Sequence, residues 1–113
     1  MTDLPIWKFS LFDRDGAHVV ALSGELDLDA ADTVRRTLIE QLDRPSAATV
    51  VADLTDVTFV DSAALGAMIA AYRHAADRDR RFAVTGAAHA VRRIMQIAGV
   101  YDLLTGAAAV PEG

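Results

Sequence analysis

Ser62 is the residue of this chain best placed to do chemistry. It stands in Val57-Thr58-Phe59-Val60-Asp61-Ser62-Ala63-Ala64-Leu65-Gly66, where an apolar stretch gives way to helical spacing. Leu65, Met68, Ile69 and Tyr72 fall at i, i+3, i+4 and i+7, one face of a helix. Ser62 therefore sits at or beside a helix N-terminus. Free N–H groups and the positive end of the helix dipole favour an anion there, a phosphate included. From the residues alone two readings stay open. Asp61 or Ser62 caps orphan N–H groups, for about 1 kcal/mol, or Ser62 accepts a phosphate, which adds about 1.5 to 2 negative charges. Nucleophilic catalysis is a third and weaker reading. No G-x-S-x-G turn surrounds Ser62, and none of His18, His74 and His89 is placed as its base.

The other reactive groups point to binding rather than turnover. Asp27, Asp29 and Asp32 cluster, but without the spacing of a calcium loop. Asp29 reads as the cap of a helix and Asp32 as a first-turn acid. Asp27 precedes that helix on a connection, is not needed as a cap, and is therefore a candidate contact residue. Gly24 and Gly66 belong to no phosphate-cradling loop, so no nucleotide cofactor is expected. The chain has no cysteine, which excludes a disulfide framework and a thiolate metal site. Its net charge of −5 makes it a poor partner for nucleic acid. The cluster Arg78-Asp79-Arg80-Arg81 is broken by an acid and reads as a solvated helix end or loop. No apolar run reaches the ~18–20 residues of a membrane span. The first residues, Met-Thr-Asp-Leu-Pro, lack the pattern of a signal peptide, so a cytoplasmic protein is expected.

The elements that must hold these residues can be read in order. At 113 residues with 52% apolar content, the chain suits a single globular domain. Ile6 to Phe12 alternates as a half-buried strand, with Trp7, Phe9 and Leu11 on one side. Asp15-Gly16 turns the chain into a second strand, His18 to Ser23. Gly24 to Leu28 reads as a connection. Ala31, Val34, Leu38 and Leu42 form the stripe of a first helix, ended near Pro45-Ser46. Thr49 to Leu54 is β-branched and apolar, as a strand buried on both faces should be. The Ser62 helix follows, to about Ala76. Phe82 to Thr85 is a further strand, and Val91, Ile94, Met95 and Ala98 stripe another helix stopped by Gly99. Tyr101 to Leu104 is a last short strand or turn. The core spans about residues 5–104, and the unpatterned tail, 105–113, is expected to fray. The order β-β-α-β-α-β-α, with an optional last strand, implies an α/β domain: a mixed sheet of four to five strands with helices packed on it.

Three blocks together resemble the STAS domain family, and in particular the bacterial anti-sigma factor antagonists. Leu22-Ser23-Gly24-Glu25-Leu26-Asp27 is similar to the family's L-x-G-E-L-D. Asp53 to Ser62 is similar to its strand and F-x-D-S phosphorylation loop. Val91 to Val100 resembles its late helix ending in Gly and an apolar residue. The resemblance covers nearly the whole chain and implies a non-enzymatic switch. Such a protein binds an anti-sigma factor that is also an ATP-dependent serine kinase, and so frees the sigma factor. Phosphorylation of the loop serine releases the antagonist, and a PP2C-type phosphatase resets it. By position, Ser62 is the implied phosphoacceptor, Asp61 holds the loop, and Asp27, Asp61, Ser62, Ala63, Ala64 and Gly66 form the implied binding surface. The family often reads D-S-S/T-G-L-G, where this chain has Asp61-Ser62-Ala63-Ala64-Leu65-Gly66. That departure leaves a second role open: a STAS subunit of a lipid-transport or stress-signalling assembly that binds without being phosphorylated.

Overall fold

The structure, a computed structural model, describes residues 6–106. It opens with a hairpin of β1 (Trp7–Arg14) and β2 (Ala17–Leu26). The turn between them is Asp15-Gly16, with φ of 51° and 84°. Two successive positive φ values make a type I′ turn, whose twist matches that of the flanking strands. Then come α1 (Leu28–Leu42), β3 (Thr49–Val60), α2 (Ser62–Asp77), β4 (Arg81–Thr85), α3 (His89–Ile97) and α4 (Tyr101–Thr105). The sheet has four strands in the order β1-β2-β3-β4. The first pair is antiparallel and the other two pairs are parallel. The mixed α/β domain read from the sequence is therefore present, with four strands.

One core holds it together. Val20 and Leu22 of β2, Val50, Ala52 and Leu54 of β3, and Phe82 and Val84 of β4 point to one side of the sheet. There they meet Val34, Leu38 and Leu42 of α1, Met68 and Ala71 of α2, Val91 and Met95 of α3, and Leu104 of α4. The intervening residues Ala21, Val51, Asp53 and Ala83 stay half-buried. So β3 is fully buried on one face, not on both as its composition suggested. The helix layer also stops short of β1. Phe9, Leu11 and Phe12 remain 40%, 48% and 39% exposed, so β1 is an exposed edge strand rather than a half-buried one.

Two strands run further than their sequence patterns suggest, and this matters for the site. Between Ala21 and Glu25 of β2, the register steps twice against β3, which each time spends an extra residue. After Leu54 the buried positions on β3 are Val57 and Val60, three apart. A period of two cannot follow that spacing, so residues 55–60 read as a connection when they are strand. Gly24 has φ +88°, and a Cβ built there would lie 2.0 Å from the Ile6 carbonyl oxygen. No other residue type fits that backbone crossing, and β2 continues through it to Leu26. At the far end, Tyr101–Thr105 is a helix rather than a strand, anchored by buried Leu104. Thr105, expected in the fraying tail, donates its hydroxyl hydrogen to the Tyr101 carbonyl at 2.8 Å. The rest of that tail, from residue 107, lies outside the described residues, as do residues 1–5.

Candidate functional site

Two strand-to-helix junctions stand side by side at one end of the sheet. Leu26 and Val60 are in register at the last positions of β2 and β3. An aspartate follows each. The Asp61 N–H donates to the Leu26 carbonyl at 3.2 Å and ties the junctions together. Asp27 Oδ1 accepts the Ala30 N–H at 3.2 Å, and Asp61 Oδ1 accepts the Ala64 N–H at 2.9 Å. Both are N-caps that satisfy the third amide of their helix. This corrects the expectation that Asp29 caps α1 and leaves Asp27 free. Because β2 runs on to Leu26, the cap falls on Asp27, and Asp29 lies in the first turn. Asp61 caps α2, one of the two capping residues the sequence offered there.

Ser62 is the first residue of α2 and is exposed. Its hydroxyl has no protein partner among the described residues. The backbone fixes its position, since the cap is Asp61 and Ser62 is left with no structural duty. Beside it, α1 and α2 border a shallow groove of about 300 Å³. Leu28, Ala31, Asp32 and Arg35 line it from α1, and Ala63, Gly66 and Ala67 from α2. Small side chains make this groove, and a Cβ added at Gly66 would meet nothing within 4 Å. Leu28 stands at its mouth with 71% of its surface exposed.

The structure brings Asp27, Asp61, Ser62, Ala63 and Gly66 to the surface at this end of the molecule, and Ala64 with them through its backbone alone. Its side chain is fully buried in the core, so only its capped backbone belongs to the site. Sequence reasoning missed Leu28 and the α1 wall of the groove. The signal was present, since Leu28 is the one large apolar residue between Asp27 and Asp29 and falls outside the Ala31–Val34–Leu38 stripe. On the groove's rim Asp32 accepts from Arg36 at 2.8 Å and from Arg35 at 3.3 Å. These hydrogen bonds, the one from Arg36 first, hold its carboxyl below the usual carboxylate range.

His18 and His74 are engaged away from Ser62. His74 Nε2 lies 2.7 Å from Asp43 Oδ1, across the far ends of α2 and α1. His18 bridges Asp13 Oδ1, at 2.6 Å from Nδ1, and Ser46 Oγ, at 3.0 Å from Nε2. That chain has the order of a hydrolase triad. Its setting is structural, however. The N–H groups of Ala47 and Ala48 already donate to the carbonyls of Arg44 and Ser46, so they cannot stabilise an oxyanion. The arginine cluster is likewise more than a solvated end. Arg80 donates to the carbonyls of Leu42, Arg44 and Ala47, which pins the end of α1 and the turn after it.

A four-stranded mixed sheet, two Asp-capped helix starts at one end of it and an exposed serine between them and a groove define the class. The sequence model of the family described as Mlab, STAS domain matches residues 10–105, and the chain belongs to the STAS domain family. Among its relatives is the anti-sigma F factor antagonist of Paenibacillus polymyxa, 29% identical over 89 residues, which cover 79% of this chain and 76% of that protein. The anti-sigma-B factor antagonist of Listeria monocytogenes is 27% identical over 93 residues, covering 81% of each chain. Among solved structures, an anti-sigma factor antagonist from Mycobacterium paratuberculosis superposes with a TM-score of 0.76 at 27% identity, covering 88% of this chain and 82% of that one. The Paenibacillus and Listeria relatives are both named as antagonists of anti-sigma factors.

Proposed function

We propose that this STAS domain is an anti-sigma factor antagonist of the cytoplasm. In this reading it docks an anti-sigma factor serine kinase on the groove between α1 and α2, and phosphorylation of Ser62 ends the complex. The observation that carries the reading is Ser62 itself: an exposed hydroxyl at the first position of α2, without a protein partner among the described residues, beside a groove of about 300 Å³ lined by its neighbours Ala63 and Gly66. The antagonist role of the relatives supports it.

The physics favours a switch at this position. The first turn of α2 holds no acidic residue beyond its cap, so a phosphate would meet the helix dipole with only the Asp61 carboxylate as a competing anion at that end. It would not be tolerated by a partner surface shaped to the neutral serine. A loss of about 3 kcal/mol there would lower affinity more than a hundredfold. A PP2C-type phosphatase would restore the serine.

The test mixes the purified chain with serine kinase-type anti-sigma factors of its own host and Mg-ATP, and reads phosphate transfer by intact mass. Transfer to the wild type and none to Ser62→Ala is the expected result. Stable binding without transfer would favour the second reading, a STAS subunit that binds without being modified. Ala63 and Ala64 are the residues that favour that reading, since they replace the hydroxyl and glycine that often follow the serine in the family. The absence of both binding and transfer would overturn the antagonist assignment.

A further inference from the structure

The two edges of the sheet are unequal. β4 is five residues long, begins at Arg81, and packs against α2 and α4. β1 is eight residues long and exposed at every position after Trp7. Phe9, Leu11 and Phe12 leave 40%, 48% and 39% of their surface in solvent, and Ile6, just before them, 54%. Among the described residues the outer N–H and C=O groups of β1 are unpaired, and a long edge with exposed apolar side chains is a template for another strand that soluble proteins seldom leave open.

We infer that β1 pairs antiparallel with β1 of a second copy, so that one sheet runs through both molecules. The strand's own register argues for a second copy. The Ile6 carbonyl accepts the Glu25 N–H at 2.9 Å. Backbone groups alternate along a strand, so Lys8, Ser10 and Phe12 also point theirs toward β2, while Trp7, Phe9, Leu11 and Asp13 point theirs outward. The two-residue turn agrees, since it makes Arg14 and Ala17 a hydrogen-bonded pair. A second copy can therefore pair only outward residues with outward residues.

Of the registers this allows, one pairs the strand from Trp7 to Asp13 with no like charges opposed. It sets Phe9 against Leu11 of the second copy, twice over by symmetry. Lys8 then faces Phe12, Trp7 faces Asp13, and Ser10 faces its own counterpart. Sliding by two residues in one direction sets Lys8 against Arg14, a like-charge pair. Sliding the other way carries Asp13 and Arg14 beyond the partner strand. Phe9 and Leu11 are in register with Leu22 and Val20 of β2, on the helix-bearing face but outside the helix layer's cover. In the dimer each shields the other. β1 supplies nothing to the groove beside Ser62, so two such sites remain open in the pair.

The chain's lack of cysteine makes the register testable. Ser10 and its counterpart form a non-hydrogen-bonded pair with Cα atoms about 4.5 Å apart, within the roughly 4.4–6.8 Å that a disulfide spans. Ser10→Cys should cross-link to a dimer under mild oxidation, more than tenfold faster than Gln96→Cys on exposed α3. Sedimentation of the wild type at about 100 μM, where a micromolar dissociation constant leaves most chains paired, should give twice the monomer mass of 12.1 kDa. Leu11→Pro removes an outward N–H and spares the ladder to β2, and Leu11→Lys adds a charge at an exposed position. Both should sediment as folded monomers with an unchanged circular dichroism spectrum. A monomeric wild type at that concentration overturns the proposal. So does a dimer indifferent to Leu11→Lys, or equal cross-linking at Ser10 and Gln96.

Discussion

The starts of α1 and α2 are built alike and equipped differently. Each follows a parallel strand that ends in a buried apolar residue, Leu26 or Val60, and each is capped by an aspartate that holds the third amide. At the first helical position α1 presents Leu28 and α2 presents Ser62. At the second, α1 has Asp29 and α2 has Ala63. Asp29 already complements the dipole of α1, whereas the first turn of α2 carries no acid. So α1 offers a fixed apolar contact, and α2 offers a hydroxyl beside an electrostatically unfilled helix end. In the proposed function, one backbone device thus serves a permanent anchor at Leu28 and a modifiable neighbour at Ser62. The core accounts for neither Leu28 nor Ser62, since both are exposed.

The contrast can be broken by exchanging the equipment. Leu28→Lys should leave the fold intact and weaken binding to the anti-sigma factor at least tenfold, about 1.4 kcal/mol, as removal of an exposed apolar anchor does. Ser62→Asp should weaken it to a similar degree through charge. Titration calorimetry measures both. Unchanged affinity for Leu28→Lys would remove α1 from the interface and leave Ser62 without its anchor. The caps come next in size. Asp27→Ala and Asp61→Ala should each cost about 1 kcal/mol in urea unfolding. Asp27→Asn keeps the cap, since Asn serves as well as Asp, but removes the charge. A stable Asp27→Asn that binds poorly would show that the partner reads the charge as well as the geometry.

Much of this region was legible in the sequence, and the gaps have physical causes. The hairpin was readable because Asp15-Gly16 dictates its own turn, and α2 because Leu65, Met68 and Tyr72 keep a helical period. Ser62 was placed correctly on those grounds. The role of Asp27 was not legible. Two aspartates flank Leu28, either of which suits a cap, and the choice depends on how far β2 pairs with β3. That pairing passes through register shifts and a positive-φ Gly24 crossing, set by strands far apart in sequence. Residues 55–60 were hidden for the same reason, because Leu54, Val57 and Val60 are buried at a spacing no regular strand shows. The bare state of β1 depends on where the helix layer ends, which no local pattern records. The burial of Ala64 follows from its place on the core side of α2, opposite the face that carries Ser62.

The smaller tests probe the electrostatics of each start. Ser62→Asp should stabilise the isolated domain by about 0.3–1 kcal/mol, since it supplies the anion that the first turn of α2 lacks. Leu28→Asp should gain less, because Asp29 already occupies the equivalent field. Urea unfolding at low ionic strength compares them, and equal gains would mean that the two helix ends do not differ as their sequences imply.

The smallest effect is at Asp32, on the α1 wall of the groove. Hydrogen bonds from Arg36 and Arg35 hold its carboxyl below the usual carboxylate range. A carboxyl whose folded-state pKa is depressed contributes its full stability above the unfolded value and loses it as the pH falls through the folded one. The contribution is therefore present at neutral pH and disappears below about pH 4. Asp32 is exposed, so solvent screens the pairs and the change is modest. Asp32→Asn should lower neutral stability slightly and flatten the acid limb by the same small amount, the two chains converging at low pH, read as unfolding midpoints from neutral pH through the acid range. If the acid limbs of wild type and Asp32→Asn coincide, the arginines do not hold Asp32 in solution. The α1 wall then presents a free carboxylate and two free guanidinium groups to whatever enters the groove, and the contrast between an anchoring α1 and a switching α2 loses its electrostatic half.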